Sequence, residues 1–213
     1  MARKPEIKPY HHGDLRHALV EAGLKVLAEQ GASGLNLREV ARIAGVSHAA
    51  PYRHFADKEA LVAAIAEDGF RQLQAALQKA QAKAPRTPSQ HFVAMGQCYV
   101  QFALKHPAHF RVMFTSTRDA ETQPELYALS KCGFLMLMDA IAAGQANGVL
   151  VAGDPEGFAK TLWATMHGLA VLLVDRQFPP TTKSPLKEAE AMAEQCVQRV
   201  LQGMMAGSQT ARR

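Results

Sequence analysis

The sequence predicts an all-α fold of about nine helices. Apolar residues recur at steps of three and four along nearly the whole chain, glycines and prolines cut that pattern into helix-length segments, and no convincing period-two strand interrupts it. A chain of 213 residues, 48% hydrophobic and 20% charged, has room for one well-buried core plus a small appended domain.

The first segment carries Leu15, Ala18, Leu19, Ala22, Val26 and Leu27 on one face of a helix that Gly31 ends. Asn36 followed three residues later by Glu39 has the spacing of a capping box and starts a second helix near Leu37, with Leu37, Val40, Ala41 and Ala44 on its inner side. Gly45 supplies the positive φ of a tight turn, and Ser47 is placed to cap a brief third helix, 47–55, in which Pro51 removes one backbone hydrogen bond. Asp57 caps a fourth helix whose stripe Leu61, Ile65, Phe70, Leu73 and Leu77 runs to a polar, proline-bounded break at 83–88.

Beyond that break Phe92, Met95, Tyr99 and Phe102 line one side of a helix that stops at His106, ahead of Pro107. A short helix around Phe110 and Met113 follows, then two long apolar helices near 126–146 and 158–174. The last, from Pro185 to about Met205, sets Ala189, Met192, Ala193, Cys196, Val200 and Leu201 on one face. The longest uninterrupted apolar run, Leu169 to Val174, is shorter than the roughly 20 residues of a membrane span, and no signal core follows the N-terminus. The expectation is a cytoplasmic protein without a membrane partner. Cys98, Cys132 and Cys196 are odd in number and widely spaced, as reduced core thiols are.

The net charge of +5 favours an anionic partner, although Arg3, Lys4 and Lys8 at one end and Arg212 and Arg213 at the other read equally as solvated tails. Two short helices joined by a glycine turn form a helix-turn-helix pattern, the second of which enters the major groove in proteins that bind DNA this way. Ala49 and Ala50 allow close backbone approach, while Ser47, His48, Tyr52 and His54 offer groups for phosphates and base edges. The same pattern is also compatible with a plain helical hairpin.

The stretch Leu15 to Leu61, with Tyr-Arg-His-Phe at 52–55 and Lys58 and Leu61 behind it, resembles the DNA-binding domain of the TetR family. That resemblance implies phosphate contacts from Tyr52, His54 and Lys58 and base-facing positions for Ser47, His48 and Ala49. Asn36 and Arg38, at the start of the second helix, complete the implied DNA-facing set. Asn36 stands where the family often has Thr, and Pro51 where it usually has an aliphatic residue. The segment at 10–15, Tyr-His-His-Gly-Asp-Leu, and that at 163–168, Trp-Ala-Thr-Met-His-Gly, are similar to a subgroup whose C-terminal domain carries a Trp-His-Gly signature.

The implied organisation is a three-helix DNA-binding domain over residues 1–57 and a ligand-sensing, dimerising domain over 58–213. The expected partners are double-stranded DNA bearing a near-palindromic operator, a second copy of the chain and a small apolar or aromatic effector. Phe92, Met95, Tyr99, Phe102, Phe110, Met113, Trp163, Met166 and His167 are the candidate effector contacts, since Met and aromatic side chains between helices give an adaptable lining. Each is also an ordinary core residue type.

No catalytic residue, cofactor loop or metal site is expected. Gly45-Val-Ser47-His48-Ala49 lacks the final glycine and preceding strand of a nucleophile elbow, and His106 with His109 has no third ligand nearby. The alternative is a helical small-molecule-binding protein or enzyme whose N-terminal hairpin is only structural.

Overall fold

The computed structural model describes residues 12–84, 87–115 and 120–204. Among them run eight α-helices and one 3₁₀ turn: α1 (His12–Gly34), α2 (Leu37–Ala44), η1 (Pro51–Arg53), α3 (Lys58–Lys83), α4 (Pro88–Lys105), α5 (Pro107–Thr115), α6 (Pro124–Ala146), α7 (Pro155–Val174) and α8 (Pro185–Gln202). The charged ends and the Tyr10-His11 pair of the sequence reading lie outside the described residues, as does Met205. Two compact units divide after Ala66, inside α3.

In the first unit, Leu19, Val20, Ala22 and Val26 of α1 are buried with Leu37, Val40 and Ala41 of α2 and Leu61, Ala64 and Ile65 of α3. α1 is broken at Gly31, where φ is 70°. The expected third helix is the main departure. Pro51 has no N–H with which to reach the Ser47 carbonyl. That oxygen instead accepts from Ala50 at 2.9 Å, and His54 donates to the Pro51 carbonyl at 2.9 Å, so 3₁₀ geometry replaces the α-turn. The turn is capped at Ala50 without a side-chain bond, so Ser47 is not its cap.

The second unit is helix on helix. α4 packs most extensively against α8 and then α7, and α6 lies on α7. Its five helices α4 to α8 each begin at a proline, where the missing N–H has no intrahelical partner to lose. Asp154 also caps α7, its carboxylate accepting from the amides of Glu156 and Gly157 at 3.0 Å each. By length and composition α6 and α7 are apolar enough to cross a membrane, with mean hydropathies of 1.4 and 1.3 over 18 residues, a property the run-length reading missed. In this fold α7 spends its apolarity on a core of Ala159, Leu162, Met166, Leu169 and Ala170.

The expectation for the cysteines changes. Cys98, Cys132 and Cys196 are unpaired but only half-buried rather than core, with burial pushing the Cys98 thiol up. His106 does end α4 as its C-cap, whereas His109 is buried inside α5, its Nε2 2.9 Å from Asp68 Oδ2 on α3. Gln72 donates to the same carboxylate oxygen at 2.7 Å. Asp68→Ala leaves a buried imidazole without this partner, an expected loss of about 2 kcal/mol. The melting temperature then falls by roughly 4–8 °C, which calorimetry reads directly; an unchanged value rules out the contact as a stabilising clasp.

Candidate DNA-binding surface and ligand chamber

α2 begins as its sequence requires: Asn36 Oδ1 accepts from the Glu39 amide at 2.9 Å, and its Nδ2 donates to the Gly34 carbonyl. The other half of the capping box is not formed. The Glu39 carboxylate turns to Arg42, one turn on, which donates to both of its oxygens at 2.6 and 2.8 Å, and accepts from Gln30 of α1 at 3.1 Å. A bidentate charged partner outcompetes a single backbone amide. These bonds, Arg42 first and then Gln30, hold the Glu39 carboxyl down at about 2.

α2 ends in a Schellman motif. Gly45, at φ 70° and ψ 30°, donates to the Arg42 carbonyl at 3.2 Å and Val46 to the Ala41 carbonyl at 3.0 Å. The chain is thereby turned sharply into 47–55, where Pro51 and Phe55 are buried and anchor the element. Arg16 lies over the Phe55 ring, 5.5 Å from its centroid. Between and before these anchors Ser47, His48, Ala49 and Tyr52 are exposed, as are Asn36 and Arg38; His54 and Lys58 are half-buried. Tyr52 is 55% exposed, unusual for a large aromatic residue and matched to no packing need of the unit itself. Lys58 is already engaged in one bond, its Nζ donating to the Ala32 carbonyl at 2.9 Å, which leaves two of its three donors.

The second unit encloses a chamber of about 450 Å³. Of the nine expected effector residues, Phe92, Met95, Tyr99, Trp163 and Met166 line it, whereas Phe102, Phe110, Met113 and His167 do not. Of these, Phe110 and His167 contact Tyr99 of the lining. His167 Nδ1 is 2.8 Å from the Tyr99 hydroxyl, with the rings of Phe114, Phe110 and Trp163 at 4.5, 5.4 and 5.6 Å from its own. Met113 is fully buried. The remaining walls come from helices the candidate set left out: Phe70, Leu73, Gln74 and Leu77 of α3, and Tyr127, Ser130, Lys131, Phe134 and Leu137 of α6. Glu156 and Lys160 of α7, paired at 2.8 Å, stand in the lining beside exposed Trp163. No group of three His, Cys, Asp or Glu suited to a metal ion occurs among the described residues.

One chain thus carries a small helix-turn-helix unit and a larger helical unit with a chamber. The chain belongs to the TetR family: residues 19–65 match the family model described as bacterial regulatory proteins, tetR family, and residues 92–200 that of the tetracyclin repressor-like C-terminal domain. Its DNA-binding part is 45% identical over 49 residues to the HTH-type transcriptional regulator BetI of Rhizobium meliloti, covering 23% of this chain and 24% of that one. The HTH-type transcriptional regulator Rv1816 of Mycobacterium tuberculosis is 26% identical over 133 residues, 61% of this chain and 57% of that one. The chain thus matches about a quarter and less than three-fifths of the lengths of these two relatives. A solved protein of unknown function from Rhodococcus sp. RHA1 superposes with a TM-score of 0.80 at 32% identity, over 94% of this chain and 100% of that one. The TetR-family regulator PfmR of Thermus thermophilus shares the fold at a TM-score of 0.67 and 20% identity, over 84% of this chain and 97% of its own.

Because Glu39 titrates below its ordinary 4.5 when folded, the support it gives α2 is complete above that pH and fades as the pH falls toward about 2. Glu39→Gln therefore flattens the fall in stability between pH 5 and pH 3, measured as urea midpoints; an unaltered slope counts against the Arg42 and Gln30 bonds as its source.

Proposed function

We propose that this chain is a repressor that binds a near-palindromic operator as a two-fold dimer and is released when a small apolar or aromatic effector enters the chamber. The observation that carries the DNA half is the exposure of Ser47, His48, Ala49 and Tyr52 on one short element pinned by buried Pro51 and Phe55. Tyr52, His54 and Lys58 hold phosphates in this reading, with Asn36 and Arg38 near the backbone and Ser47, His48 and Ala49 toward the bases. The reading task falls to residues 1–57 together with the adjoining Lys58, and the sensing task to the rest of 58–213. No catalysis, cofactor or metal is assigned to the chain, and its place of action is the cytoplasm.

The dimer is supported by what α7 and α8 leave uncovered. Ala164, Leu172 and, on α8, Ala191 are exposed, Leu172 at 37%, and small or apolar positions of this kind suit a helix-helix seam. The effector reading is supported by a mostly apolar lining with few polar groups. Coupling rests on α3, which carries Lys58 at its start and the chamber residues Phe70, Leu73, Gln74 and Leu77 further along. Allosteric coupling is typically about 1–3 kcal/mol, whereas a near-complete switch needs about 5.5.

Selection of genomic fragments by the purified protein at about 150 mM salt, followed by footprinting, is expected to yield one near-palindrome with half-sites about 34–36 Å apart or a multiple of that spacing. On that site Lys58→Ala should weaken binding and reduce the salt slope by about 1, without changing the preferred sequence. Uniform or absent retention of DNA defeats the reading. Light scattering at micromolar concentration is expected to give twice the chain mass; a monomer removes the two-fold operator.

A further inference from the structure

The chamber's charges are unevenly satisfied. Three charged side chains line it, Lys131 from α6 and Glu156 and Lys160 from α7, among walls otherwise aromatic and aliphatic. Glu156 and Lys160 neutralise one another at 2.8 Å. Lys131 has no carboxylate within ion-pair distance among the described residues; its ammonium lies over the Tyr127 ring, 5.0 Å from the centroid. All three residues are exposed, so they mark the mouth, whereas Phe92, Met95, Tyr99, Met166 and Val197 at the inner end are 8% exposed or less. The inner end offers little to a polar group, because the Tyr99 hydroxyl is already bonded to His167 at 2.8 Å. The chamber is therefore apolar within, and its mouth carries one net positive charge, which is that of Lys131.

We propose that the effector is an amphipathic monocarboxylate, its apolar chain or ring inside the chamber and its carboxylate at the mouth on Lys131. This rests on the reading of the chamber as the effector site and adds the polarity and orientation of what fills it. Tyr127, Ser130, Lys131, Phe134 and Leu137 fall at steps of three and four, so a ligand that reaches from the Lys131 ammonium inward follows one face of α6. An ammonium beside low-dielectric walls attracts a carboxylate more strongly than one surrounded by water. The same charge opposes an amine at that position, and a neutral head group forgoes the attraction. A head group carrying two charges would find only one unpaired cation.

Trp163 is the only tryptophan of the chain and lines the chamber, its ring 6.0 Å from that of Phe134 on α6, so its fluorescence reports occupancy without a label. The full-length protein is titrated with decanoate, decanol and decylamine, each kept below micelle-forming concentrations, and the decanoate and decanol titrations are repeated on Lys131→Met, which keeps the apolar stem and removes the charge. Decanoate is expected to bind about three- to fivefold tighter than either analogue, and Lys131→Met to weaken decanoate by about three- to fivefold while leaving decanol unchanged within error. The variant should melt as the parent does, since Lys131 is exposed and makes no ion pair among the described residues. Decanol binding as tightly as decanoate, or equal weakening of both by Lys131→Met, overturns the carboxylate while keeping the chamber as the effector site. If none of the three compounds perturbs Trp163, the carboxylate proposal and the effector reading fall together.

Discussion

The larger unit depends on how closely α4 lies against α7 and α8, and that approach is set at Gly96. A Cβ there would fall 2.7 Å from Val197 Cγ2 and 2.9 Å from Met166 Sδ, so no side chain fits without displacing one of the two helices or their residues. Met166 is flexible and could yield, but Val197 is β-branched and stiff within a helix. A glycine inside a helix is unfavourable by roughly 0.5–1 kcal/mol relative to alanine. Full burial of a single aliphatic side chain contributes about 1.5–3 kcal/mol. The crossing buries Val100, Ala103, Ala193 and Val197 completely, so packing outweighs the local loss several times over. Gly96 is also part of the chamber lining, so the residue that closes the core leaves the space at its edge.

That chamber stays apolar because its polar neighbours are satisfied among themselves. Tyr99 and His167 are hydrogen-bonded within a shell of aromatic rings, and a buried polar group with a partner costs far less than one without. His109 and Asp68 solve the same problem a layer away, between α5 and α3. In both cases two helices contribute one polar group each, and the pairing fixes which faces meet. The polar pairs thus act as registration points in an otherwise greasy bundle, and the wall of α3 and the floor of α4 inherit their positions from them.

Several helix boundaries were legible in the sequence because they are set by local chemistry: Pro107 after His106, Gly45 after Ala44 and Asp57 ahead of α3 each act within one turn, whereas α7 starts at Pro155, behind its Asp154 cap and ahead of the expected 158. The walls of the chamber were not. Phe70, Leu73 and Leu77 repeat at the period of any core-facing stripe, and nothing in that spacing tells a residue facing another helix from one facing a void. The aromatic and Met composition pointed to Phe92, Met95, Tyr99, Trp163 and Met166, which do line the space, but equally to Phe102, Phe110 and Met113, which do not. Tyr127 and Phe134 of α6 were left out although both are aromatic, because composition alone does not tell a lining residue from a core one; a lysine, Lys131, in a helix with mean hydropathy 1.4 was a further signal. The Glu39 partner was missed for a related reason. Spacing offered both Asn36 and Arg42, and only the geometry of the bidentate pair decides between them.

The 47–55 element shows how one residue type sets a local structure. Proline at 51 removes the donor that an α-turn from Ser47 would use, and the backbone tightens to 3₁₀ spacing, with a rise of about 2.0 Å per residue in place of 1.5. The same ring fixes φ and narrows the unfolded ensemble, a gain of the order of 0.4–1 kcal/mol where the native conformation accepts it. Because Pro51 is itself buried with Phe55, the tighter turn is pinned at two points, and Tyr52 between them projects outward from a backbone with little freedom. Ser47, His48 and Ala49 sit ahead of the first pin, held by the Schellman turn at Gly45. The surface proposed to meet DNA is therefore positioned by a rigid turn on one side and a buried proline on the other, and Tyr52, the residue proposed to meet phosphate, lies between the two buried anchors.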